Sequence, residues 1–287
     1  MINVNLQVRR AEARDHDQIA SLTFNEYKVH RHLDWHTPFE WLGSPNYWVL
    51  EEDGRVVASL ACPEDPPHIA WVRFFGSHQD FSESRAWNSL WNVARKEIMF
   101  ANRKTIVAAI AVKHWFQTAL LSSGFELKQN IVLLELRNEN AALFSLPPGI
   151  RIRPMVEADI PEVAEVDLAA FGEFWHNTAN ALLKAYAQSA FATVAEDDLG
   201  MVGYQLSTRN LLGAHLARLG VRPEAQGRGV GSVLVSHLIR SIGAGQLNRL
   251  SVNTQADNVV SLSLYKKLGF VRTGEQFPVL VYSIGGQ

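Results

Sequence analysis

The chain has 287 residues, of which 47% are hydrophobic and 20% charged, a composition typical of a soluble globular protein with two domains of ordinary size. Its formal net charge of −2 gives no general attraction for nucleic acid or acidic membranes, so we expect neither as a partner. A single cysteine, Cys62, excludes an internal disulfide and is typical of a reducing compartment. No signal-peptide or membrane-span pattern is present, and we predict a cytoplasmic protein.

The sequence repeats itself at an offset of 144 to 146 residues. VRRAEARDHDQIASL, from Val8, matches IRPMVEADIPEVAEV, from Ile152, and both predict a strand, a polar turn and an amphipathic helix. WVLEEDGRVVASL, from Trp48, matches ATVAEDDLGMVGYQL, from Ala192. Both of these segments predict a β-hairpin with its turn at the acidic residues and the glycine.

A third repeat joins a helix end to a strand. LLSSGFE, from Leu120, matches YKKLGFV, from Tyr265, and the glycine in each predicts a left-handed helix cap. Three matches in the same order indicate a tandem duplication. We therefore predict two α/β domains, each a mixed, mostly antiparallel sheet flanked by helices, at residues 1–137 and 149–287. The segment 138–148, with two prolines that end regular structure, is the predicted linker.

Only the second half contains a glycine-rich loop. Its sequence, QGRGVG from Gln226, lies between a predicted strand, HLARLGV from His215, and a predicted helix over Val230–Ile242. Unpaired N–H groups at a helix N-terminus favour a phosphate, and glycines let phosphate oxygens approach the backbone closely. A tight turn that needs only positive φ is the alternative. Neither the dinucleotide fingerprint nor the P-loop spacing is present.

Together with a second motif, this loop resembles the GNAT superfamily of acyl-CoA N-acyltransferases. Residues 226–231 match that family's Gln/Arg-x-x-Gly-x-Gly/Ala pyrophosphate loop. Further along, ADNVVSLSLYKKLGF (Ala256–Phe270) matches Asn-x-x-Ala-x-x-Leu-Tyr-x-x-x-Gly-Phe, with Ser261 where the family usually has alanine. The resemblance covers about Gly149 to Ile284 and is strongest to the ribosomal-protein alanine N-acetyltransferases. The duplicated layout, with an active second half, is similar to mycothiol synthase.

The resemblance implies acetyl-CoA as the cosubstrate and a sheet whose fourth and fifth strands splay into a V. The pantetheine arm would lie in that gap, along the end of the fourth strand, and the diphosphate would lie on the glycine loop. The residues implied in cofactor binding are Leu219, Gly220, Val221, Gln226, Gly227, Arg228, Gly229, Val230, Gly231, Ser232 and Asn258.

Acetyl transfer to an amine needs an uncharged amine, donors for the developing oxyanion and a proton for the departing sulfur. The resemblance assigns that proton to Tyr265, whose alternative role is core packing. The alanine N-acetyltransferases carry a glutamate on the fifth strand, where this chain has Asn253, and an amide cannot accept a proton. Other members use a fourth-strand glutamate eleven residues before the loop glutamine, and His215 takes that place here. A strand-edge histidine that hydrogen-bonds to solvent is the alternative, and Asn253 would then orient a water or the amine.

A short aromatic segment is the candidate acceptor wall. FGEFWHN, from Phe171, resembles the segment that forms this wall in the alanine acetyltransferases, which implies that Phe174, Trp175 and His176 line the acceptor site. A helix–helix connection that buries its aromatics is the alternative. The histidines of HRHLDWH, from His30, fit no standard zinc spacing, and we expect no metal.

We therefore predict an N-acetyltransferase that moves acetyl from acetyl-CoA to a primary amine, of a small molecule or a peptide, in a direct ternary complex. The first half would be a degenerate copy that does not bind coenzyme A, because it lacks the glycine loop and has Leu120 in place of the tyrosine. A non-catalytic acyl-CoA sensor is the first alternative, favoured by the missing fifth-strand glutamate. A scaffold without a ligand is the second. The acceptor stays open among peptide N-termini, polyamines, aminoglycosides and amino-sugar thiol precursors.

Overall fold

The computed structural model describes residues 5–24, 28–33, 35–101, 104–137, 141–211, 213–242 and 249–284. It divides into two compact units. The first consists of Met1–Lys128 with Phe277–Gln287, and the second consists of Gln129–Gln276. Over the described ranges, none of the helices has the length and apolar character needed to cross a membrane.

The first unit is built from an antiparallel sheet of five strands, in the order β1-β3-β4-β6-β2, and from a second group of strands in which β5 pairs in parallel with β7. Its core is rich in aromatic side chains, including the stacked rings of Trp87 and Trp91. The elements are β1 (Leu6–Arg10), α1 (His16–Thr23), β2 (Val29–Arg31), β3 (Tyr47–Glu52), β4 (Arg55–Ala61), β5 (Ile69–Trp71), β6 (Phe74–Ser77), α2 (Glu83–Phe100), β7 (Thr105–Ile110) and α3 (His114–Ser122).

The second unit is a mixed sheet with helices on both faces. Its strands run in the order β8-β13-β12-β11-β10-β9, and every neighbouring pair is antiparallel except β12 and β13. The elements are β8 (Glu126–Leu136), β9 (Arg151–Pro154), α4 (Ile160–Trp175), α5 (Ala179–Gln188), β10 (Phe191–Asp197), β11 (Gly200–Asn210), β12 (Gly213–Val221), α6 (Val230–Ile242), β13 (Leu250–Gln255), α7 (Val259–Leu268) and β14 (Val271–Ile284). The start of β8, up to Lys128, and the end of β14, from Phe277, belong to the first unit. The predicted fold class is confirmed, and α6 has the predicted bounds.

The internal repeat is visible as the same ion-pair frame in both units. In the first unit, the Arg9 guanidinium donates to both oxygens of Asp15, at 2.7 and 2.8 Å, and its Nε donates to a glutamate on β3. In the second unit, Arg153 contacts Asp159 at the same two distances, and its Nε donates to Glu196 on β10. Each aspartate also accepts a backbone N–H where its helix begins. The frame therefore fixes the first strand, the helix start and the neighbouring strand of each unit in the same way.

The predicted turns and caps of the repeat are present. Asp53 and Gly54 adopt positive φ, as a two-residue hairpin turn requires, and they join β3 to β4. Gly124 follows α3 and Gly269 follows α7, both with positive φ. The Gly269 N–H bonds back to the last turn of α7, so the left-handed cap satisfies a helix-end carbonyl.

The two compact units do not coincide with the predicted halves 1–137 and 149–287. Residues 131–136 of β8 pair with β13 and lie in the second unit, whereas residues 279–284 of β14 pair with β7 and lie in the first. The physical reason is strand pairing. β8, which follows the Gly124 cap, pairs with β13, whereas β14, which follows the Gly269 cap, pairs with β7. The two strands have similar apolar patterns, so the pattern alone does not distinguish these pairings.

Part of the predicted linker 138–148 belongs to the second unit. Residues 138–140 lie outside the described ranges. Beyond them, the Phe144 N–H donates to Ser236 Oγ at 3.0 Å, and Arg240 donates to the Phe144 carbonyl at 2.9 Å. The Ala142 N–H bonds to the last residue of α7. This segment is held against α6 and α7 and is irregular in structure, as its prolines predict.

Candidate active site

The site begins where two strands of the second unit stop pairing. β12 and β13 run in parallel and are paired only from Ala214 to Leu216, opposite Leu250 to Val252. Beyond Leu216, β12 continues to Val221 paired with β11 alone, after a register shift that leaves Ala217 without a partner in that ladder. In the described structure, the β13-facing edge of residues 217–221 thus has no strand beside it. Backbone groups on an unpaired strand edge are available to an extended ligand.

The glycine loop lies at the end of this edge and leads into α6. Gly227 has φ +76° and Gly229 has φ +86°, a region that side-chain-bearing residues rarely adopt. A Cβ built at Gly227 meets nothing within 4 Å, so this part of the loop is open above the backbone. α6 begins at Val230, so the first N–H groups of a 13-residue helix follow the open glycines. The loop therefore has the geometry of an anion site.

The third loop glycine has a packing role. Gly231 does not have positive φ, and a Cβ built there would lie 3.1 Å from the Leu264 side chain on α7. The Val230 side chain is buried in the core, so only its backbone is accessible to a ligand. The three glycines of the motif thus differ, because Gly227 and Gly229 give the loop its positive φ, whereas Gly231 allows a close contact between α6 and α7.

Two polar side chains of the loop make contacts within the second unit. Gln226 Nε2 donates to the Val221 carbonyl at 3.1 Å, which closes the loop onto the end of β12. Arg228 Nη1 lies 2.9 Å from Asp197 Oδ2. The hydrogen bond from the Leu199 N–H, followed by the one from the Arg228 guanidinium, holds the pKa of Asp197 below its usual range. The half-exposed Arg228 keeps further N–H donors on its planar group.

Tyr265, the predicted proton donor, lies on α7 and is 4% exposed. It belongs to the buried cluster that contains Leu216 and Val252, the last paired residues before the split. Burial raises the pKa of its phenol, which therefore stays protonated throughout the neutral range. Tyr265 is therefore both packed in the core and close to the split.

His215 and Asn253 lie on the opposite face of the sheet from that cluster. His215 pairs with Ser251 across the parallel strands, and its Nδ1 lies 2.9 Å from Ser251 Oγ. Because side chains alternate along a strand, Ser251 and Asn253 share the face of His215. Burial, with a smaller effect from the Arg249 charge, lowers the pKa of His215, so the imidazole is neutral at pH 7. The predicted base therefore has a side-chain partner, Ser251. This differs from the alternative, a strand-edge histidine that bonds to solvent.

A cleft of about 300 Å³ connects the α4 side of the split with the end of β13. Of the predicted residues, Trp175 and Asn258 line it, whereas Phe174, His176, Tyr265, His215 and Asn253 do not. Asn258 also caps α7, since its Oδ1 accepts the Ser261 N–H at 3.0 Å, and its Nδ2 donates to Gln255 Oε1 at 3.4 Å. The lining residues that the sequence did not predict are Gln129, Ala170, Phe171, Gln255 and Asp257.

One buried cluster behind this cleft was also not predicted. The Asp167 carboxylate on α4 is fully buried and accepts two hydrogen bonds from Arg218 on β12, at 2.7 and 2.8 Å. It accepts a third from the Tyr204 hydroxyl, and burial, followed by the carboxylate charge, raises the pKa of that phenol. In the sequence, Arg218 is the one charged residue in the apolar strand HLARLGV, a signal without an identifiable partner.

The first unit has a different structure at the position of the glycine loop. The segment after β6 leads to α2, whose N-terminus is capped by Ser82, which accepts the Arg85 N–H at 3.3 Å. Leu120, the counterpart of Tyr265, is completely buried. The first unit thus has a capped helix end and an apolar residue in place of the phenol, and that it does not bind coenzyme A stays a prediction.

Comparisons with known proteins identify this site's family. Residues 160–270 match the family model described as acetyltransferase (GNAT) family. The chain carries a GNAT acetyltransferase domain. The family resemblance predicted from the two motifs is thereby confirmed, and this GNAT domain lies within the second unit, with the glycine loop and Tyr265 inside the matched range.

Curated relatives and solved structures agree with this assignment. A mycothiol acetyltransferase of Pseudarthrobacter chlorophenolicus is 30% identical over 148 residues, 45% of this chain and 44% of that protein. One from Mycolicibacterium smegmatis is 29% identical over 162 residues, 49% of this chain and 54% of that protein, so the chain spans about half the length of the relatives it matches. A tandem GNAT protein from the clavulanic acid biosynthesis pathway superposes over 99% of this chain and 100% of its own, with a TM-score of 0.64 and 16% identity. A GCN5-related N-acetyltransferase from Sphaerobacter thermophilus superposes over 98% of this chain and 96% of its own, with a TM-score of 0.63 and 16% identity. At 16% identity, the likeness to these two structures is one of fold.

Proposed function

We propose that the protein is an N-acetyltransferase that transfers the acetyl group of acetyl-CoA directly to a primary amine in a ternary complex. The observation that carries the proposal is the split between β12 and β13 after Leu216, which leads directly to the open glycine loop before α6. An unpaired strand edge suits the amide-rich pantetheine arm, and the loop suits the diphosphate. The curated mycothiol acetyltransferases support the same class of reaction.

In this proposal the binding residues act mainly through their backbones. Leu219, Gly220 and Val221 present the strand edge, and a Cβ at Gly220 would lie 2.7 Å from the Tyr204 ring, so only glycine fits there. The N–H groups of residues 227–232 hold the diphosphate, with Arg228 as a charged contact at its side. Asn258 Nδ2 bonds to Gln255 Oε1 at 3.4 Å with one N–H, and its second N–H is the side-chain donor for a pantetheine carbonyl.

Two residues move protons, and they reach the split from opposite faces of the sheet. His215, neutral at pH 7, takes a proton from the acceptor ammonium directly or through a water oriented by Asn253. The free amine attacks the thioester carbon, and the carbon–sulfur bond breaks. Tyr265, which its raised pKa keeps protonated, gives its proton to the departing sulfur, and the second proton of the attacking nitrogen restores the phenol. The products are an amide and coenzyme A, with one proton released from the ammonium.

The acceptor in this proposal is a small molecule or a peptide with a primary amine, bound beside Phe174, Trp175 and His176. The aromatic rings of Phe174 and Trp175 contact each other edge to face at 5.1 Å, and Trp175 also lines the cleft. His176 Nδ1 lies 2.9 Å from the Glu173 carbonyl, which fixes its ring at the end of α4. This segment suits an acceptor wall because it is partly exposed and stiff.

A non-catalytic acyl-CoA sensor is the second candidate, and Asn253 favours it, because an amide stands where a strand-five carboxylate would accept a proton. The deciding experiment measures coenzyme A release from acetyl-CoA with a panel of amines, for the parent protein, Tyr265→Phe and the control Tyr282→Phe. Turnover that Tyr265→Phe loses and Tyr282→Phe retains supports the enzyme. Coenzyme A binding by calorimetry without turnover in any of the three proteins supports the sensor.

A further inference from the structure

The aromatic segment Phe171–Asn177 is held by contacts that span a break in α4. Gly172, with φ 69° and ψ 174°, interrupts the helix between Asp167 and Trp175. A change of direction in a helix leaves backbone groups that need new partners. Two such groups beyond the break, the Trp175 carbonyl and the Asn177 N–H, bond to Arg218 and Asp167 respectively.

The clamp is a network around one carboxylate. Asp167 Oδ1 accepts the Asn177 N–H at 2.6 Å and one Arg218 nitrogen at 2.8 Å, while Oδ2 accepts Arg218 Nε at 2.7 Å and the Tyr204 hydroxyl. Arg218 Nη2 also donates to the Trp175 carbonyl at 2.7 Å. Both oxygens of the carboxylate are thus used, and each side chain of the ion pair also bonds to the backbone of the segment.

Arg218 supports the start of the segment as well. Its guanidinium carbon lies 3.5 Å from the centroid of the Phe171 ring, a cation–π contact on the residue that precedes the break. Phe171 and Trp175 both line the cleft at the strand split. A single side chain on β12, the strand with the unpaired edge, therefore contacts two residues of α4 that line the cleft.

Stability alone gives a weak reason for such an arrangement. The Asp167 side chain is 0% exposed and that of Arg218 is 15% exposed, and removing two charges from water offsets much of what a buried pair gains. Apolar side chains of similar volume serve a core equally well or better. A planar guanidinium offers what they cannot, namely several donors in fixed directions.

From this geometry we propose that Arg218 is a positioning residue that clamps the Phe171–Asn177 segment across the Gly172 break and so sets the acceptor side of the cleft. The proposal rests on the proposed acetyltransferase function for its kinetic consequence. Its structural content, that Arg218 fixes Trp175, is independent of any activity. Arg218 is not among the residues that line the cleft, and it acts through Trp175 and Phe171.

The test uses Arg218→Lys, which keeps the charge and loses the fork of donors. The matched control is Arg153→Lys, which alters the bidentate Arg153–Asp159 pair of the same unit, outside the cleft lining. We expect Arg218→Lys to reduce kcat/KM for the acceptor by about 10- to 100-fold, the effect of displacing a substrate-positioning group by about 1 Å. We expect the coenzyme A Kd of this variant to stay within about twofold of the parent value. Arg153→Lys should match the parent protein in both quantities.

A second readout needs no turnover. In protein labelled with 5-fluorotryptophan, the fluorine resonance of Trp175, assigned through Trp175→Phe, should shift or broaden in Arg218→Lys and remain unchanged in Arg153→Lys. If no amine is acetylated by the parent protein, this resonance still decides whether the clamp exists. Should Arg218→Lys fail to fold, Tyr204→Phe removes one donor to Asp167 and keeps the ion pair, and it should give a smaller change of the same kind. An unshifted Trp175 resonance in a folded Arg218→Lys protein, or parent-like acceptor kinetics, would overturn the proposal.

Discussion

Replacement of Gly229 by alanine tests the glycine loop most directly. A Cβ at this position would lie 3.5 Å from Pro147 Cγ, an ordinary contact, so the folded protein has room for the methyl group. The φ of +86° is unfavourable for alanine by roughly 1–2 kcal/mol, the penalty for a left-handed conformation. The methyl group would lie beside Pro147 in the loop where we propose that the diphosphate binds, and we expect at least one charge-assisted hydrogen bond from an N–H to the diphosphate to be lost. Such a bond contributes about 1.5–3 kcal/mol, which corresponds to a roughly 10- to 150-fold increase in the coenzyme A Kd.

Gly274→Ala is the matched control, because Gly274 has φ +92°, lies in the second unit and has open space around a built Cβ. Thermal unfolding without ligand should show a similar loss of stability for both variants, since the backbone penalty is the same. Titration calorimetry with coenzyme A should separate them, with weaker binding for Gly229→Ala alone. Equal affinity of Gly229→Ala and Gly274→Ala would refute the assignment of the diphosphate to this loop.

Three further outcomes follow from the site and its core. Tyr265→Phe should lower kcat by about 10²- to 10⁴-fold, as for loss of a general acid, with the coenzyme A Kd unchanged in calorimetry. The pKa of His215 is lowered, which favours the neutral imidazole in the folded state. We therefore expect kcat/KM to fall on the acid side with an apparent pKa below 6.5. The pH–rate profile of His215→Gln should lack this step. The same shift stabilises the fold above pH 6.5, and this stabilisation is lost as the pH falls toward the lowered pKa. Leu234→Ala, at a fully buried α6 position, should cost about 2–5 kcal/mol in denaturant unfolding, whereas Leu168→Ala, at a position 44% exposed, should cost far less.

Local sequence signals were sufficient for the parts of the fold that depend on neighbouring residues. The apolar spacing of VGSVLVSHLIRSI gave the bounds of α6, and the Asp53-Gly54 turn and the Gly269 cap follow from backbone preferences. The glycine loop was predictable for the same reason, since Gly227 and Gly229 are needed wherever positive φ and an open approach coincide.

Features that depend on distant pairing were not predictable. β8 and β14 follow equivalent Gly-Phe caps and have similar apolar patterns, so the sequence did not indicate that 131–136 pair with β13 and 279–284 with β7. The contact between Arg218 and Asp167 joins residues 51 positions apart, and neither lies in a motif. The kink at Gly172 lies inside a continuous helical pattern and becomes recognisable only with the bonds that cross it.

The two units show which parts of the repeat serve the fold and which serve the site. The ion-pair frame of Arg9 with Asp15 recurs as Arg153 with Asp159, because it joins a strand to a helix start and each unit needs that joint. The candidate site of the second unit depends on open space, because the loop glycines have no side chain and the end of β12 has no strand beside it within the described structure. Where a built Cβ would meet nothing, as at Gly227, the open loop gains no packing energy. In the first unit, Ser82 instead caps the N-terminus of α2, so the ion-pair frame is common to both units, whereas the open glycine loop is found in the second.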